Sequence, residues 1–510
     1  MWGPTLLFVM GLTASAQAED APNSEPGATF VDTDGTVRRV DEAEQDVLPV
    51  QSGDHLRVWI GIGAGLAVGS FAYWVDQDQN VADWDDPNVK ARLSGDAWRF
   101  DNNNLVVNFL LHPLSGGGTY NLARTSHFSV PVSAGYSVLS SFLWEWVLEF
   151  KEQISVNDCI VTPLGGIPIG EFFYKLGLYL DSAHAPGFGM RTAQWTLGTG
   201  VQIDRLVDGP PLREPHARDA LGLTSAIWHD FGFRYSVSAA RGRSASEFAV
   251  HDLGFRGRLV TIPGYLRPGS YGYFFHRADV TDLEVWAEGS HHGVGLGLEA
   301  DTLLLGYHAQ QIGGTVSHGH GHAATVGASL GYQFLDSAAH GFAERLALLH
   351  LPGLGFDWNA LARDIRLSVR LRANPDFAAV GALAQSDWQA AYPDERGKAV
   401  LRNQGYFYGW GGSGRLSGAV ALGPLRLDAD TWYGRYWSQE GLERHPERLT
   451  VDAPAEASVF FARGGIGLSP PGTPITLGAT ASVRRWDSTV GEFRHQARAV
   501  GRGLFVEADF

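Results

Sequence analysis

Between Asp85 and Glu171 the sequence spaces histidine, arginine, tyrosine, amide and carboxylate residues at intervals that packing alone does not require. Asn108 and His112 stand four residues apart, as do Tyr120 and Arg124, so each pair faces one way where the chain is helical. From Ser137 the polar residues Ser137, Ser141, Glu145 and Glu149 recur at every fourth position, while Tyr136, Leu139, Leu143, Trp146, Val147 and Phe150 fill the other faces. That spacing predicts a helix carrying two carboxylates one turn apart on a mostly apolar surface. Ser155 has the form of an N-cap with Asp158 three positions on, and predicts a short helix that Pro163 stops. Pro113 is expected to break the first helix, and Gly116-Gly117-Gly118 to turn the chain.

Two chemistries suit these residues. In an enzyme acting on lipid or envelope substrates, His112 is the general base, Glu145 or Glu149 orients it, Ser141 or Ser155 is the nucleophile, and Arg124 holds an anionic group. In a structural network, Asn108, His112, Tyr120, Arg124, Glu145, Glu149, Asp158 and Glu171 satisfy one another in a buried cluster that anchors helices to strands. An ionised carboxylate needs cations or donors when buried, and Arg124, His112 and Tyr120 are the expected partners of Glu145 and Glu149. The structural reading is preferred, because no Gly-x-Ser-x-Gly elbow and no His-Glu-x-x-His motif is present.

In the order Asn108, His112-Pro113, Tyr120, Ala123-Arg124, Ser141, Trp144-Glu145, Glu149, Ser155, Asp158, Gly165-Gly166 and Gly170-Glu171, the chain resembles the bacterial family catalogued as domain of unknown function 3943. The resemblance runs from Trp84 to Ser182, about a fifth of the sequence. It implies a Gram-negative envelope protein with a barrel-like C-terminal part, and implies no reaction.

The elements that must position this stretch are announced by composition. Glycine supplies 64 of 510 residues, aromatics 12% and charged residues only 18%, a mixture that suits glycine-rich, aromatic-studded strands. Mean hydropathy is -0.10, which excludes a bundle made only of transmembrane helices. A formal charge of -16 without any basic run excludes nucleic acid as a partner. The lone Cys159 forms no intramolecular disulfide and reads as packing.

The N-terminal stretch Leu6 to Thr13 is a short apolar core, and Ala16-Gln17-Ala18 predicts cleavage of a signal peptide, residues 1–18. Residues 19–54 are acidic and poor in bulky apolar side chains, as expected of a flexible periplasmic leader. Within 55–84, Val58 to Val75 is either a membrane-embedded helix or a barrel-packed strand, since Ile60, Ile62, Ala64, Leu66 and Val68 alternate with small residues. Residues 85–182 form the helical domain, and a β-barrel is expected over 183–510.

From Met190 the period becomes two. Ala193, Trp195, Leu197, Val201 and Ile203 alternate with polar or small residues, as do Phe231 to Ala239, Ala324 to Phe334 and Leu477 to Val483. The polar face is largely Gly, Ser, Thr and Gln, suited to lining a lumen. Pro210-Pro211, Gly423-Pro424 and Pro470-Pro471-Gly472 are turn signals, and Ser438 to Pro454 reads as an outward loop. The chain ends with Leu504, Val506, Ala508 and Phe510 in alternation, like the last strand of bacterial outer-membrane barrels.

The fold expected is therefore mainly β: an antiparallel transmembrane β-barrel with an N-terminal helical segment packed in or against it. Its place is the Gram-negative outer membrane, its partners are membrane lipid and the barrel assembly machinery acting through Phe510, and no cofactor is called for. A barrel with a polar helical plug, serving passage or envelope organisation, is the leading reading. A lipid- or envelope-modifying enzyme and a metal-binding surface receptor are the alternatives. The receptor rests on His318, His320 and His322, whose setting reads better as a His/Gly loop tip without a carboxylate to complete a site. Arg366, Arg370 and Arg372 share one strand face with Ser368 and are expected to pair with Asp428 and Asp430 rather than to attract anions.

Overall fold

The structure is a computed structural model, and it describes residues 24, 27–47, 51–76, 85–209, 215–242, 247–316, 318–393, 399–444, 449–451, 453–470 and 472–510. The expected signal peptide and the Pro210-Pro211 turn lie outside the described residues.

The leader is partly folded rather than flexible. A hairpin of β1 (Thr29–Val31) and β2 (Val37–Arg39) leads into a short helix, α1 (Val40–Glu44). Phe30 and Val40 are buried in an apolar cluster with Tyr271, Tyr273 and Phe275, and Arg267 pairs with the buried Asp32. These few apolar residues find a ready-made wall, and that outweighs a composition poor in them.

The helical region follows. Helix α2 (His55–Asp76) resolves the ambiguity over Val58 to Val75 in favour of a helix; its 22 residues span about 33 Å, enough to cross the hydrocarbon core of a bilayer. After α3 (Val89–Ser94) and β3 (Trp98–Arg99), a π turn over Val107–Leu111 runs straight into α4 (His112–Thr125). Helix α5 (Val130–Leu143) ends in a second π turn, Trp144–Leu148. Strand β4 (Ile154–Ser155) pairs with β3, and α6 (Val156–Asp181) comes next, with α7 (Phe188–Leu197) and α8 (Thr199–Asp208).

Several local expectations are overturned here. Pro113 follows the π turn without breaking the helix: Phe109 O, four residues earlier and without a main-chain donor from Pro113, accepts from the Tyr332 hydroxyl of the barrel wall instead. Pro163 and Pro168 lie inside α6 without stopping it. Gly116 and Gly117 are helical and make no turn: they lie against the α6 backbone at Thr162, Gly166 and Gly170, so that α4 and α6 approach more closely than side chains would allow. The alternation over Ala193 to Ile203 is helical as well, since the buried positions Gln194, Gly198, Val201 and Asp204 recur every three to four residues. The barrel thus begins at Trp228 rather than at residue 183.

Twelve antiparallel strands close the barrel. They include β5 (Trp228–Arg241) and β6 (Glu247–Val260); a short strand, β7 (Gly269–Phe275), then precedes β8 (Val280–Ser290) and β9 (Gly293–Gly314). The wall continues with β10 (Gly319–Ser337), β11 (Glu344–Ala362), β12 (Ile365–Gly381), β13 (Tyr406–Leu422), β14 (Leu425–Ser438), β15 (Ala455–Leu468), β16 (Ile475–Val490) and β17 (Phe493–Asp509), which pairs back onto β5. Strands β7 and β8 lie end to end along β9 and are interrupted at residues 276–279, while the leader hairpin pairs with β7 through Phe30 and Gly269. Both barrel termini and the turns 363–364 and 423–424 mark one end, the turn end; the long connections 382–405 and 439–454, the first carrying α9 (Gln385–Ala391) and α10 (Ala399–Gln404), mark the loop end.

Side-chain alternation assigns the two faces of the wall. Glu284, Glu299, Gln333, Leu346 and Arg415 face the lumen, so their neighbours Leu283, Leu298, Ala300, Phe334 and Ala347 face outward. Those outward residues, with Tyr332, Phe377, Tyr406 and Tyr408, form one apolar core with Phe109, Val161, Ile169, Phe172 and Leu176 of the helical region. No described residue of the helices lines the lumen cavity. The helical domain therefore packs against the outer wall over β6 to β13, and the plug arrangement is corrected: an apolar helix face met an apolar outer wall, not a polar lumen. Helices α2, α4, α5 and α6 alternate in direction between the turn end and the loop end. The rest of the outer wall keeps exposed apolar residues such as Phe233, Tyr433, Ile466, Leu477 and Leu504.

Candidate functional site

Two polar clusters are built into the helical bundle. In the lower one, α4 and α6 are fastened by Glu171, which is fully buried and accepts from Arg124 Nε at 2.7 Å, Arg124 Nη2 at 3.1 Å and the Tyr120 hydroxyl at 2.7 Å. Tyr120 and Arg124 share a face as their spacing requires. Arg124 also donates to Phe128 O at 2.6 Å and lies over the Tyr174 ring at 4.3 Å. Lys175, one turn beyond Glu171, approaches it at 3.6 Å and donates to Ala278 O in the interruption between β7 and β8. The expected partners are thus corrected: Arg124 and Tyr120 meet Glu171, not Glu145 or Glu149. Lys175 escaped the sequence reading, although a Glu-to-Lys step of four inside an apolar helix was the signal that could have found it.

The upper cluster lies toward the loop end. His112 Nδ1 is 2.7 Å from Asp158 Oδ1, and Asn157 Nδ2 donates to the same oxygen at 2.9 Å. Ser155 caps α6 as expected, its hydroxyl accepting from Asp158 N at 3.2 Å, and Ser155 N donates to Glu145 Oε2 at 2.9 Å. Ser141 donates to the main-chain oxygen of Asp158 at 3.0 Å. Asn108 donates to the Tyr408 hydroxyl at 2.8 Å, fastening the π turn before α4 to the barrel wall.

Glu145 and Glu149 were expected one turn apart on a single helix face. The second π turn adds a residue to that turn, as the bond from Glu149 N to Trp144 O records, and Glu149 leaves the helical conformation at its end. Glu149 instead accepts from Trp144 Nε1 at 2.6 Å. The structure gives His112 the carboxylate of Asp158 in place of Glu145 or Glu149, and neither Ser141 nor Ser155 reaches the imidazole by a hydrogen bond among the described residues. The arrangement offers a half-buried imidazole–carboxylate pair that could move a proton, without a serine aligned for attack.

Three residues missed by spacing complete this end. Arg92 donates to Glu145 O at 2.6 Å and to the main chain of the following turn, holding the π turn in place. Arg444, from the loop 439–454, pairs with Asp85 at 2.6 Å and with Glu152 at 3.2 Å. Asp101, outside the helices, accepts from Asn103 N at 3.0 Å and has Arg444 at 3.9 Å. Burial and then the neighbouring charge of Asp158, opposed by Arg444, push its carboxyl up to about 7. Their partners come from distant segments, so no local pattern could reveal them.

The other candidates lie apart. His318, His320 and His322 are exposed where β9 turns into β10. Two groups of side chains could hold a cation among the described residues, His127 with Asp204 and Asp208, and Glu288 with His340 and Glu344. Each already faces a guanidinium: Arg57 reaches Asp208 at 2.6 Å, and Arg484 reaches Glu288 at 3.2 Å. In the lumen, Arg372 pairs with Asp301 and Asp357 at 2.7 Å each, and Arg370 with Asp282 at 3.1 Å, while Asp430 meets Arg415 at 2.8 Å. Most lumen charges therefore neutralise one another, but in the arginine ladder Arg370 and Arg372 pair with β8, β9 and β11, not with Asp428 and Asp430.

Residues 97–200 match the family model described as Domain of unknown function (DUF3943), a span that takes in α4 to α7 and stops before the barrel. None of the curated proteins matches this sequence. Among solved structures, the chain is similar to the NanC porin, at 10% identity and a TM-score of 0.20, covering 53% of this chain and 98% of that one. It is also similar to the β domain of the Bordetella autotransporter BrkA, at 11% identity and a TM-score of 0.20, covering 54% and 99%. The third is the outer membrane protein OprD from Pseudomonas aeruginosa, at 8% identity and a TM-score of 0.13, covering 56% and 93%.

Proposed function

We propose that this chain, a closed twelve-stranded barrel carrying a domain of unknown function on its flank, sits in a Gram-negative outer membrane and serves envelope organisation, with the barrel as an occluded anchor for the helical bundle. The observation that carries this reading is the apolar cluster across the loop end of the lumen, where Trp388, Leu401, Phe407, Trp432, Tyr436 and Trp486 pack together. Below it, ion pairs cross the lumen between distant strands, from Arg484 to Glu288 and from Arg258 to Asp357, and narrow the way to the loop end among the described residues. The outer wall instead spends its length on the bundle, which presents the mostly exposed apolar helix α2 to its surroundings.

Reconstitution of the purified protein into planar bilayers tests this. The occluded anchor gives no stable conductance, whereas long-lived discrete openings would overturn it in favour of passage. Fractionation with outer membranes and heat-modifiable migration on gels test the location.

A second reading, a lipid- or envelope-modifying enzyme, is favoured by one observation, the 2.7 Å contact of the half-buried His112 with Asp158 at the bundle's upper end. There burial, which lowers the imidazole pKa, is outweighed by the Asp158 carboxylate, which raises it to about 9, so His112 is a protonated donor to a substrate oxygen, held in orientation by Asp158. Lipid profiles from cells carrying His112→Ala or Asp158→Asn decide it: correctly assembled variants with an altered profile establish the enzyme.

A further inference from the structure

The lumen cavity has a volume of about 900 Å³. Its rim residues Thr33, Thr315, Val316 and Ser469 lie at the turn end, where the cavity opens. Its ceiling is aromatic and aliphatic, with Trp286, Leu335, Leu346, Trp432 and Trp486. That is the size and lining of a small-molecule site.

Most charged residues on its walls are paired, but among the described residues Arg463, Asp252 and Asp428 inside it, and Arg363 and Arg366 on its exposed rim, show neither an ion pair nor a hydrogen bond. Arg463 lines the cavity with no hydrogen bond and no carboxylate within 4 Å among the described residues, and its Nε is buried without a partner. Asp252 and Asp428 line the same cavity, likewise without an ion pair or hydrogen bond among the described residues. Asp252 lies within the electrostatic reach of Arg463, yet the two do not touch. Asp428 lies over Gly465, on the strand beside Arg463 and two residues along from it, and unpaired charges of opposite sign so close in a lumen that pairs most of its charges leave an interaction for a guest to complete.

We infer that the cavity binds a small amphipathic zwitterion entering from the turn end, with its anionic group at Arg463, its ammonium at Asp252 and Asp428, and its apolar body against the tryptophan ceiling. A simple anion would bring its charge beside two unpaired carboxylates, and a simple cation would meet Arg463. A zwitterion satisfies both. Short apolar peptides and aminolipids with one acyl chain share this chemistry.

The test uses the full chain in a non-ionic maltoside, with binding read from tryptophan fluorescence and equilibrium dialysis. The probes are the tripeptide Leu-Leu-Leu with free ends, the same peptide acetylated and amidated, and lysophosphatidylethanolamine. Saturable binding of the free peptide or of the lysolipid is expected, and whichever binds names the source. Arg463→Gln and Asp428→Asn should each weaken it at least about tenfold, the size of one lost charge-assisted contact. The blocked peptide should bind at least as poorly to the unaltered protein, an arm that requires no variant to fold. Failure of both zwitterions to saturate, equal binding of the blocked peptide, or undiminished binding by both variants would overturn the inference.

Discussion

Glu171 is the residue on which the lower half of the bundle depends. It is shut away from solvent and accepts three hydrogen bonds, so removing Arg124 leaves a buried carboxylate short of its main cation. Arg124→Ala and Glu171→Ala should each destabilise by about 3–5 kcal/mol, and the double change should cost much less than their sum. Unfolding in detergent measures this, and strict additivity would show that the pair is not coupled. Glu145 belongs to a different cluster, so Arg124→Ala and Glu145→Ala should add. Glu145→Gln keeps an acceptor for Ser155 N and should be milder than Glu145→Ala. Asp101 brings a pH dependence. Its carboxyl holds its proton more tightly in the folded protein than in the unfolded chain, so the stability it contributes is full below about pH 4 and is lost as pH climbs through 7. Asp101→Asn should flatten the fall in melting temperature across that window; an unchanged slope would assign the fall to other groups. The residue types of both clusters were legible in the sequence, because spacing of four shows which side chains share a face. Their partners were not: Glu171 and Asp158 meet Arg124 and His112 across a helix–helix interface, where local period carries no information.

The contacts between elements explain why some local rules failed. A Cβ at Gly116 would collide with Thr162 O and one at Gly166 with the main chain of Gly116 and Gly117, whereas one at Gly118 meets nothing within 4 Å. Gly116→Ala should therefore push α4 off α6 and impair assembly. Gly118→Ala, two residues away in the same helix, should stabilise by roughly 0.5–1 kcal/mol through its better helix propensity. Thermal unfolding of the two variants separates close approach from propensity; equal effects would deny the helix contact. Read as a turn signal, the triple glycine misled, because glycine serves turns and tight helix crossings alike and only a partner distinguishes them. The alternation of Ala193 to Ile203 misled for a related reason: five apolar positions fit a period of two, but Gln194, Gly198, Val201 and Asp204 are the buried set, and Gly198 sits against Gly177. Both π turns escaped too, since each adds one residue to a turn without leaving a mark in composition.

For the whole molecule the barrel was the most legible feature, since β5, β10, β16 and β17 carry long alternations that a helix cannot accommodate. The side of the wall on which the helices lie was not legible, because an apolar helix face suits an apolar outer wall and a loosely packed lumen equally until the lumen's charges are seen to be paired. Occlusion at the loop end also makes a prediction. Trp388, fully buried in the connection 382–405, is part of the seal, and Trp388→Ala should leave a void there at a cost of about 3–5 kcal/mol. In planar bilayers that variant should show transient openings that the unaltered chain lacks; silence in both would place the barrier deeper, among the lumen charges.

The seam at which β17 joins β5 bears on the order of events in folding. The bundle is made of consecutive helices joined by short links, so its contacts are local and form fast, whereas the seam pairs Val500 with Arg241 and must wait for the last strand to be synthesised. Bundle helices precede every barrel strand in the chain, and their wall-facing side stays uncovered until β6 to β13 exist. The growing sheet thus has a preformed apolar surface on which to dock its outer face, with Lys175 placed for the carbonyl of Ala278. The bundle is a landing surface carried in the same chain, on the convex side from which the sheet curls away as it closes.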